Sequence, residues 1–318
     1  MKKIDFKLID IIIIIQMSIK FQKPFLKWVG GKTQHIHQIM NSFPDTMENY
    51  HEIFLGGGSV LLALLSLQKM GKLIIKGNVY AYDLNKQLIR VYRDVQFNKD
   101  ALIVCVEKYK NEYSECPTVE RGTANRKPMN EAEAKTSKES YYYWMRKKFN
   151  ELTELSVENS ALFIMLNKTG FRGVYREGPN GYNVPFGHYK KTPMIISRSE
   201  IDNISELIKD VIFIDTDFVK SMNNATKGDF VYLDPPYAPK NRTSFVGYTE
   251  NGFNIDMHKN LFKLTKALTS VNIKFAMSNA NVELVKKSFE GYTFTEIAAR
   301  RAIHSKNPAS KTTDVLIV

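Results

Sequence analysis

Residues 50–59 read Tyr-His-Glu-Ile-Phe-Leu-Gly-Gly-Gly-Ser, and a mostly apolar stretch follows over 60–67. This pattern predicts a buried strand over 50–54, a tight glycine turn and a helix that begins at Ser59. A second strand is predicted over 79–82 and ends at Asp83. Strand, glycine turn, helix, strand and acid in this order are typical of a doubly wound α/β nucleotide-binding fold.

The glycine turn does not match the dinucleotide-binding fingerprint, because the third glycine of that fingerprint would fall at Leu61. The glycines would instead let the backbone approach an adenosyl cofactor that lacks phosphates. Asp83 could then accept hydrogen bonds from both ribose hydroxyls of that cofactor. Taken alone, the same turn also fits a purely structural role in packing.

Apolar runs predict further strands and helices on both sides of a region with a different residue pattern. Strands are expected over 211–214, 230–233, 273–277 and 314–318, with amphipathic helices over 257–270 and 281–289. Between the two halves, helices are expected over 84–112 and 139–168, and the polar stretch 114–140 predicts a mobile loop. The chain is therefore expected to comprise an N-terminal extension (1–20), a first catalytic part (21–83), a mostly helical insertion (84–190) and a second catalytic part (191–318).

The most informative motif is Asp234-Pro235-Pro236-Tyr237, which follows the apolar run 230–233. An exocyclic aromatic amine is a poor nucleophile, because its lone pair is delocalised into the ring. The Asp234 carboxylate and the Pro235 carbonyl could accept its two hydrogens, and the Tyr237 ring could stack on the base. Two prolines fix the backbone that carries these groups. An ordinary strand-ending turn is the alternative interpretation of the motif.

Charge favours an anionic partner. The chain has 318 residues and a formal net charge of +12, with a sequence pI of about 9.4. An excess of this size is typical of nucleic-acid-binding proteins, although a merely basic soluble protein shares it. Cys105 and Cys116 have no metal-site spacing and suit a reducing compartment. The apolar run 11–15 is far shorter than the roughly 20 residues of a membrane span, and the N-terminal extension is expected to be dispensable.

Two patterns that suggest other ligands are rejected. Gly31-Lys32-Thr33 has the form of a P-loop end, but the glycine that this motif requires at position 26 is Leu26. The histidines at 35, 37 and 51 are expected to be solvated or to cap helices, because residues two apart point to different helix faces. No metal is therefore expected. The run 24–32, with Trp28 and Lys32 beside a glycine pair, could hold an amino-acid carboxylate.

In this order, the run 24–32, the glycine turn, Asp83 and the Asp-Pro-Pro-Tyr motif resemble the Dam-like DNA adenine-N6 methyltransferases (alpha group, D12 class). The resemblance covers residues 24–318 and implies a Rossmann-like fold with an inserted target-recognition domain, S-adenosylmethionine as methyl donor and double-stranded DNA as partner. The implied cofactor contacts are Trp28, Lys32, Phe54, Gly56, Gly57, Gly58, Asp83, Asp217, Phe218 and Asp234. The implied catalytic residues are Asp234, Pro235, Pro236 and Tyr237.

Residues 167–176 and 183–187 resemble the family's recognition segment. The implied DNA contacts are Lys27, Phe171, Arg172, Arg176 and Pro185. Lys27 and Arg176 match base-reading residues of family members that recognise GATC, and Phe171 matches an aromatic wedge that fills the space of a flipped base. Arg172 departs from the pattern, since the GATC readers commonly carry Asn there. GATC is therefore the first expectation, and another short palindrome such as CATG stays open.

The expected activity is methylation of the N6 amine of an adenine flipped out of duplex DNA. The alternatives are a catalytically silent, sequence-specific DNA-binding protein and an RNA or protein-amide methyltransferase on the same scaffold. We expect a monomer in the cytoplasm, or in the host compartment that holds the DNA if the source is viral. A cognate restriction endonuclease, encoded separately, is a possible partner.

Overall fold

The computed structural model describes residues 19–239, 252–300 and 311–318, so the predicted N-terminal extension lies almost wholly outside the described residues. A seven-stranded sheet forms the centre of the described part of the chain. Its strands are β1 (Tyr50–Glu52), β2 (Val79–Asp83), β3 (Val211–Asp215), β4 (Phe230–Leu233), β5 (Lys274–Ala280), β6 (Phe294–Arg300) and β7 (Lys311–Ile317).

The strand order is β3-β2-β1-β4-β5-β7-β6. The first five strands of this order pair in parallel, whereas β7 is antiparallel to both of its neighbours, β5 and β6. The chain starts in the middle of the sheet at β1, runs outward to β3 and then returns to β4 on the other side of β1. The strand order therefore reverses between β1 and β4.

Both faces of the sheet are buried. In β4, Phe230 and Tyr232 belong to one hydrophobic cluster, and Val231 and Leu233 belong to a second. Successive strand residues point to opposite faces, so the two clusters lie on opposite sides of the sheet. A strand covered on both faces reads as a continuous apolar run, which is why the sequence predicted β4 correctly.

Helices cover these two faces. They are α1 (Ile36–Met40), α2 (Ser59–Lys69), α3 (Lys86–Phe97), α4 (Lys99–Glu115), α5 (Glu131–Ala134), α6 (Lys138–Glu151), α7 (Val157–Thr169), α8 (Arg198–Leu207), α9 (Phe218–Met222), α10 (Ile255–Ser270) and α11 (Glu283–Ser288). Helices α1 to α8 supply residues to the first cluster and α9 to α11 to the second. The prediction of a doubly wound α/β fold is thus confirmed. Among the described residues, no helix has the length and apolar character to cross a membrane.

The two long helices predicted in the insertion were too long, because each predicted range contains two shorter helices. Asn98 separates α3 from α4 with φ −126°, outside the helical region. Ser156 is the N-cap of α7, and its side chain accepts the Asn159 N–H at 3.2 Å. Inside the stretch 114–140, helix α5 is capped by Asn130 and α6 by Ser137. The mobility of this stretch and the domain boundaries remain predictions.

The predicted strands over 50–54, 79–82, 211–214, 230–233, 273–277 and 314–318 correspond to β1 to β5 and β7, with shifted ends in all but β4. Strand β6 and helix α8 were not predicted. β6 lies at one edge of the sheet, and its sequence lacks a clear alternation of apolar and polar residues. Helix α8 begins with a capping box between Ser197 and Glu200, a signal that the sequence did contain.

The expected solvated or capping role of His51 was wrong. His51 is 1% exposed, and its ring lies between the Asp229 carboxylate (Nε2 to Oδ2, 3.1 Å) and the Tyr82 hydroxyl (Nδ1 to Oη, 3.1 Å). Burial lowers the pKa of His51, and the hydrogen bond and charge of Asp229 oppose that shift. The error has a simple cause: β1 is covered on both faces, so a polar residue in it must find a buried partner.

Candidate functional site

The predicted motifs meet at the carboxyl ends of adjacent parallel strands. β1 leads into the glycine turn, β2 ends at Asp83, and β4 leads into Asp234. β1 pairs with β2 on one side and with β4 on the other. Open parallel sheets bind ligands in the crevice beyond these ends, where the strand order reverses. The candidate site therefore lies at this edge of the sheet.

The glycine turn is shaped by close approaches. Gly58 has φ +69°, and a Cβ there would lie 2.5 Å from the Tyr92 hydroxyl. A Cβ on Gly56 or Gly57 would lie 2.8 Å from the Trp28 side chain. The turn thus seats Trp28 directly against its backbone, and packing accounts for part of its glycine content. The ring of Trp28 stacks on Tyr175 from the insertion, with centroids 6.2 Å apart.

Asp83 ties the glycine turn to the end of β2. Its Oδ2 accepts the Gly56 N–H and its Oδ1 accepts the Asn85 N–H, both at 2.9 Å. Burial raises the pKa of Asp83, and these backbone N–H groups partly offset the effect. The next residue, Leu84, is 65% exposed and presents an apolar surface beside the carboxylate.

Asp234 forms a partly buried ion pair with Lys32. Lys32 Nζ lies 2.5 Å from Asp234 Oδ2, and the two side chains are 7% and 20% exposed. The same ammonium donates to the Gly30 carbonyl at 2.6 Å. Burial raises the pKa of Asp234, the charge and hydrogen bond of Lys32 lower it, and the charge of Asp314 raises it. The structure thus joins the run 24–32 to the Asp-Pro-Pro-Tyr motif.

The rest of the motif is held from two sides. Lys32 Nζ lies 5.0 Å from the centroid of the Tyr237 ring. The next residue, Ala238, donates its N–H to Asn279 Oδ1 at 3.1 Å, and Asn279 is fully buried in β5. Pro235 is buried and Pro236 is half-buried. Burial is also the main reason that the pKa of Tyr237 is raised, with the Asp234 charge adding to it.

The predicted cofactor residues Asp217 and Phe218 follow β3 and begin helix α9. Asp217 Oδ1 accepts the N–H groups of Val219 and Lys220 at 2.9 and 3.0 Å, which makes it the N-cap of this helix. The Phe218 ring packs on Phe54 with centroids 6.1 Å apart. These contacts give Asp217 a structural role, and its contact with a cofactor remains a prediction.

The predicted DNA contacts lie in one turn and the hairpin that follows it. The Phe171 N–H donates to the carbonyl of the exposed Pro185 at 2.8 Å, and the Phe171 side chain is 47% exposed. Arg172 has φ +56°, and its guanidinium lies 5.2 Å from the Phe171 ring centroid. Arg176 Nε donates to Asn183 Oδ1 at 2.6 Å across the ribbon formed by Glu177–Gly178 and Gly181–Tyr182.

Lys27 joins this group through Asn167, which lies in the predicted recognition segment but was not among the predicted DNA contacts. The Lys27 N–H donates to Asn167 Oδ1 at 2.8 Å, and Asn167 Nδ2 donates to the Lys27 carbonyl at 2.7 Å. The Lys27 ammonium donates to the Lys168 carbonyl at 3.0 Å and lies 4.2 Å from the Tyr189 ring centroid. Burial lowers the pKa of Lys27. A cleft of about 370 Å³ runs beside it and is lined by Lys23, Lys27, Trp28, Gln34, Gly57 and Arg172.

Sequence reasoning also missed Glu52 at the end of β1. Glu52 is 2% exposed, accepts a hydrogen bond from Tyr50 at 2.8 Å, and has a pKa raised well above its usual value, mainly by burial. The available signal was an acidic residue inside an apolar strand that leads into the glycine turn. Among the described residues, no group of three or more His, Cys, Asp or Glu side chains is arranged to hold a metal ion.

Comparison with known proteins agrees with this geometry. Residues 28–303 match the family model of the D12 class N6 adenine-specific DNA methyltransferases. The chain is 34% identical over 299 residues to the type II methyltransferase M.MjaIII of Methanocaldococcus jannaschii, covering 91% of this chain and 95% of that protein. It is 30% identical to the DNA adenine methylase of Haemophilus influenzae (91% and 90% covered) and 27% identical to that of Escherichia coli (94% and 95% covered). The chain therefore belongs to the D12 class of N6 adenine-specific DNA methyltransferases.

Proposed function

We propose that this DNA adenine methyltransferase transfers a methyl group from S-adenosylmethionine to the N6 amine of an adenine flipped out of duplex DNA, with GATC as its site. The observation that carries this proposal is the meeting of Asp234, Tyr237, Lys32 and Asp83 around the glycine turn. Acid, cation and aromatic ring stand together at the sheet edge where ligands of this fold bind.

The residues beside the glycine turn fit the proposed cofactor. Carboxylate oxygens of Asp83 suit ribose hydroxyls, and the exposed Leu84 suits the face of an adenine ring. The Lys32 ammonium has three N–H donors and gives two of them to Gly30 and Asp234, so the third can meet an amino-acid carboxylate. S-adenosylmethionine supplies a methyl group on a sulfonium, which makes that carbon electrophilic.

Asp234 and Pro235 bind and activate the adenine amine, which is the methyl acceptor. An ionised carboxylate is an acceptor only, so Asp234 can take one amine hydrogen while the Pro235 carbonyl takes the other. These contacts localise the nitrogen lone pair and orient it. The Tyr237 face holds the base flat, and the Ala238 to Asn279 hydrogen bond fixes the loop that carries it. The rate advantage in this scheme comes from positioning and hydrogen-bond acceptance.

The contacts around Lys27 support a DNA-facing role for the hairpin. Phe171 stands half-exposed and is suited to fill the gap left by a flipped base, at a flipping cost of a few kcal/mol. Arg172 adopts a left-handed backbone that Asn adopts more readily than Arg. The Asn that GATC readers commonly carry would fit here without this strain, so Arg172 serves contact chemistry rather than the turn.

The proposal is tested by incubating the purified protein with labelled S-adenosylmethionine and four matched substrates. These are duplexes with one GATC site, with one CATG site and with neither, and an RNA copy of the first. We expect N6-methyladenine, detected by mass spectrometry, in the GATC duplex above all. Methyl transfer to the CATG duplex instead would show that CATG, and not GATC, is the recognition site. Methyl transfer to the RNA alone would disprove the proposal that DNA is the substrate. Single-molecule sequencing of DNA from expressing cells would report the same site independently.

Arg176→Ala is expected to lower kcat/KM on the cognate duplex by about 10- to 100-fold, the value of one bidentate guanine contact of roughly 1–3 kcal/mol. On duplexes altered at the guanine, the same substitution should change kcat/KM little, so the variant should discriminate less between bases at that position. Asn183→Ala, which removes the oxygen that holds Arg176 Nε, should give a smaller loss of the same kind. Equal losses on all duplexes would show that Arg176 contacts phosphate instead.

A further inference from the structure

Lys32 is held more firmly than a cofactor contact alone requires. Its N–H donates to Ser59 Oγ at 3.0 Å, which attaches its backbone to the first residue of helix α2. Its ammonium contacts the Gly30 carbonyl and Asp234 Oδ2 at 2.6 and 2.5 Å. A flexible lysine with both ends fixed places its charge at one defined point, between the glycine turn and the Asp-Pro-Pro-Tyr motif.

Two other carboxyl groups, those of Asp314 and Glu52, lie near Asp234. The charge of Asp314, on β7, raises the pKa of Asp234, and Asp234 in turn raises the pKa of Glu52 on β1. The hydroxyls of Tyr232 and Tyr237 also lie within reach of the charge of this carboxylate. A carboxylate desolvated among other acids tends to take up a proton. A protonated Asp234 would carry a donor where the amine needs an acceptor.

His35 is a further titratable group in this part of the described structure. It lies close enough to Lys32 and Asp314 for both to influence its pKa, which burial lowers. Among the described residues, the ammonium of Lys32 is the cation in direct contact with the Asp234 carboxylate.

We propose that Lys32 is a positioning residue that acts through Asp234: its charge keeps Asp234 a carboxylate and aims that carboxylate at the target amine. This inference rests on the proposed function and deepens it. Lys32 then serves two partners at once, since its third N–H remains for the cofactor. The contact of the same ammonium with the Tyr237 ring, at 5.0 Å, places it against both side chains of the motif that meet the base.

The test compares Lys32→Gln, which keeps N–H donors without the charge, with Lys32→Arg, which keeps the charge. Lys32→Met is a second neutral variant, and Lys76→Met is a matched control that removes an exposed lysine paired with Glu48. Carbon NMR of the cofactor-free proteins follows the titration of the Asp234 carboxyl, assigned with Asp234→Asn. Single-turnover methylation at saturating cofactor is then measured against pH.

In both neutral variants, we expect the pH midpoint of the Asp234 titration to rise by at least about one unit. The pH below which the methylation rate falls should rise by the same amount, so that the rate at low pH is about tenfold lower than that of the wild type. Lys32→Arg and Lys76→Met should keep the wild-type midpoint. An unchanged Asp234 titration in Lys32→Gln and Lys32→Met would overturn the inference, as would an equal rate loss at every pH. If the wild type failed to methylate, the proposed function would fall, and the NMR titration would still decide the role of Lys32.

Discussion

Asp234→Ala is expected to lower the single-turnover rate of methyl transfer by about 10³-fold or more, because it removes the carboxylate that accepts an amine hydrogen. Asp234→Asn should lose less, since its amide keeps one acceptor oxygen. Both variants should still bind duplex DNA, because the residues of the hairpin are untouched. The measurement is methylation of a GATC duplex at saturating cofactor, with DNA binding followed separately.

The control addresses the cation that Asp234→Ala leaves behind. Lys32 is 7% exposed at its side chain, and an unpaired buried charge destabilises a protein. The double variant Lys32→Met with Asp234→Ala should therefore be more stable to urea than Asp234→Ala alone, while both remain inactive. Wild-type activity in folded Asp234→Ala would disprove the catalytic role.

Asp229→Ala is expected to lower the free energy of unfolding by about 3–5 kcal/mol, the usual cost of removing one partner of a buried pair. Asp229 is 2% exposed and accepts hydrogen bonds from the backbone N–H and side-chain Nδ2 of Asn49, at 3.0 and 2.7 Å. It also accepts from Thr226 and contacts His51. Its loss leaves these groups unpaired between β1 and the start of β4.

Urea denaturation at pH 7 measures this effect. The folded-state pKa of Asp229 is lowered, so its contribution is fully present above the unfolded value of about 3.9 and is lost as the pH falls through the folded value. Glu206→Ala removes an exposed pair with Lys209 and should leave the free energy of unfolding almost unchanged. The activity of folded Asp229→Ala should stay close to that of the wild type, in contrast to Asp234→Ala. A cost no larger than that of Glu206→Ala would contradict the prediction.

Local pattern sufficed where a signal is contained in a short stretch. Strand β4 and the start of helix α2 at Ser59 were predicted at the positions where the structure has them. For β4 the reason is that a strand buried on both faces requires an unbroken apolar run. The helices of the insertion were predicted too long, because a single Asn98 ends one of them. Edge strand β6 was missed because a strand with one neighbour needs little apolar surface.

The candidate site shows the same division. The sequence identified four candidate site residues from the order of their motifs along the chain: Lys32, Asp83, Asp234 and Tyr237. Their roles in catalysis and cofactor binding stay predictions. The sequence did not indicate that His51 would be buried against Asp229, because the two residues are 178 positions apart. Burial of a polar residue depends on what packs over its strand, and periodicity does not report that.

The amino-acid order by itself determined the fold class, the family resemblance and the set of reactive groups, since each is written in contiguous motifs. Only the tertiary structure decided which groups touch. Lys32 meets Asp234 across 202 residues of sequence, and Lys27 meets Asn167 across 140. Such contacts arise because parallel strands bring their carboxyl ends to one edge of the sheet, and because the insertion folds back onto that edge. Distances between charges, and the ionisation that follows from them, exist only after the chain has folded.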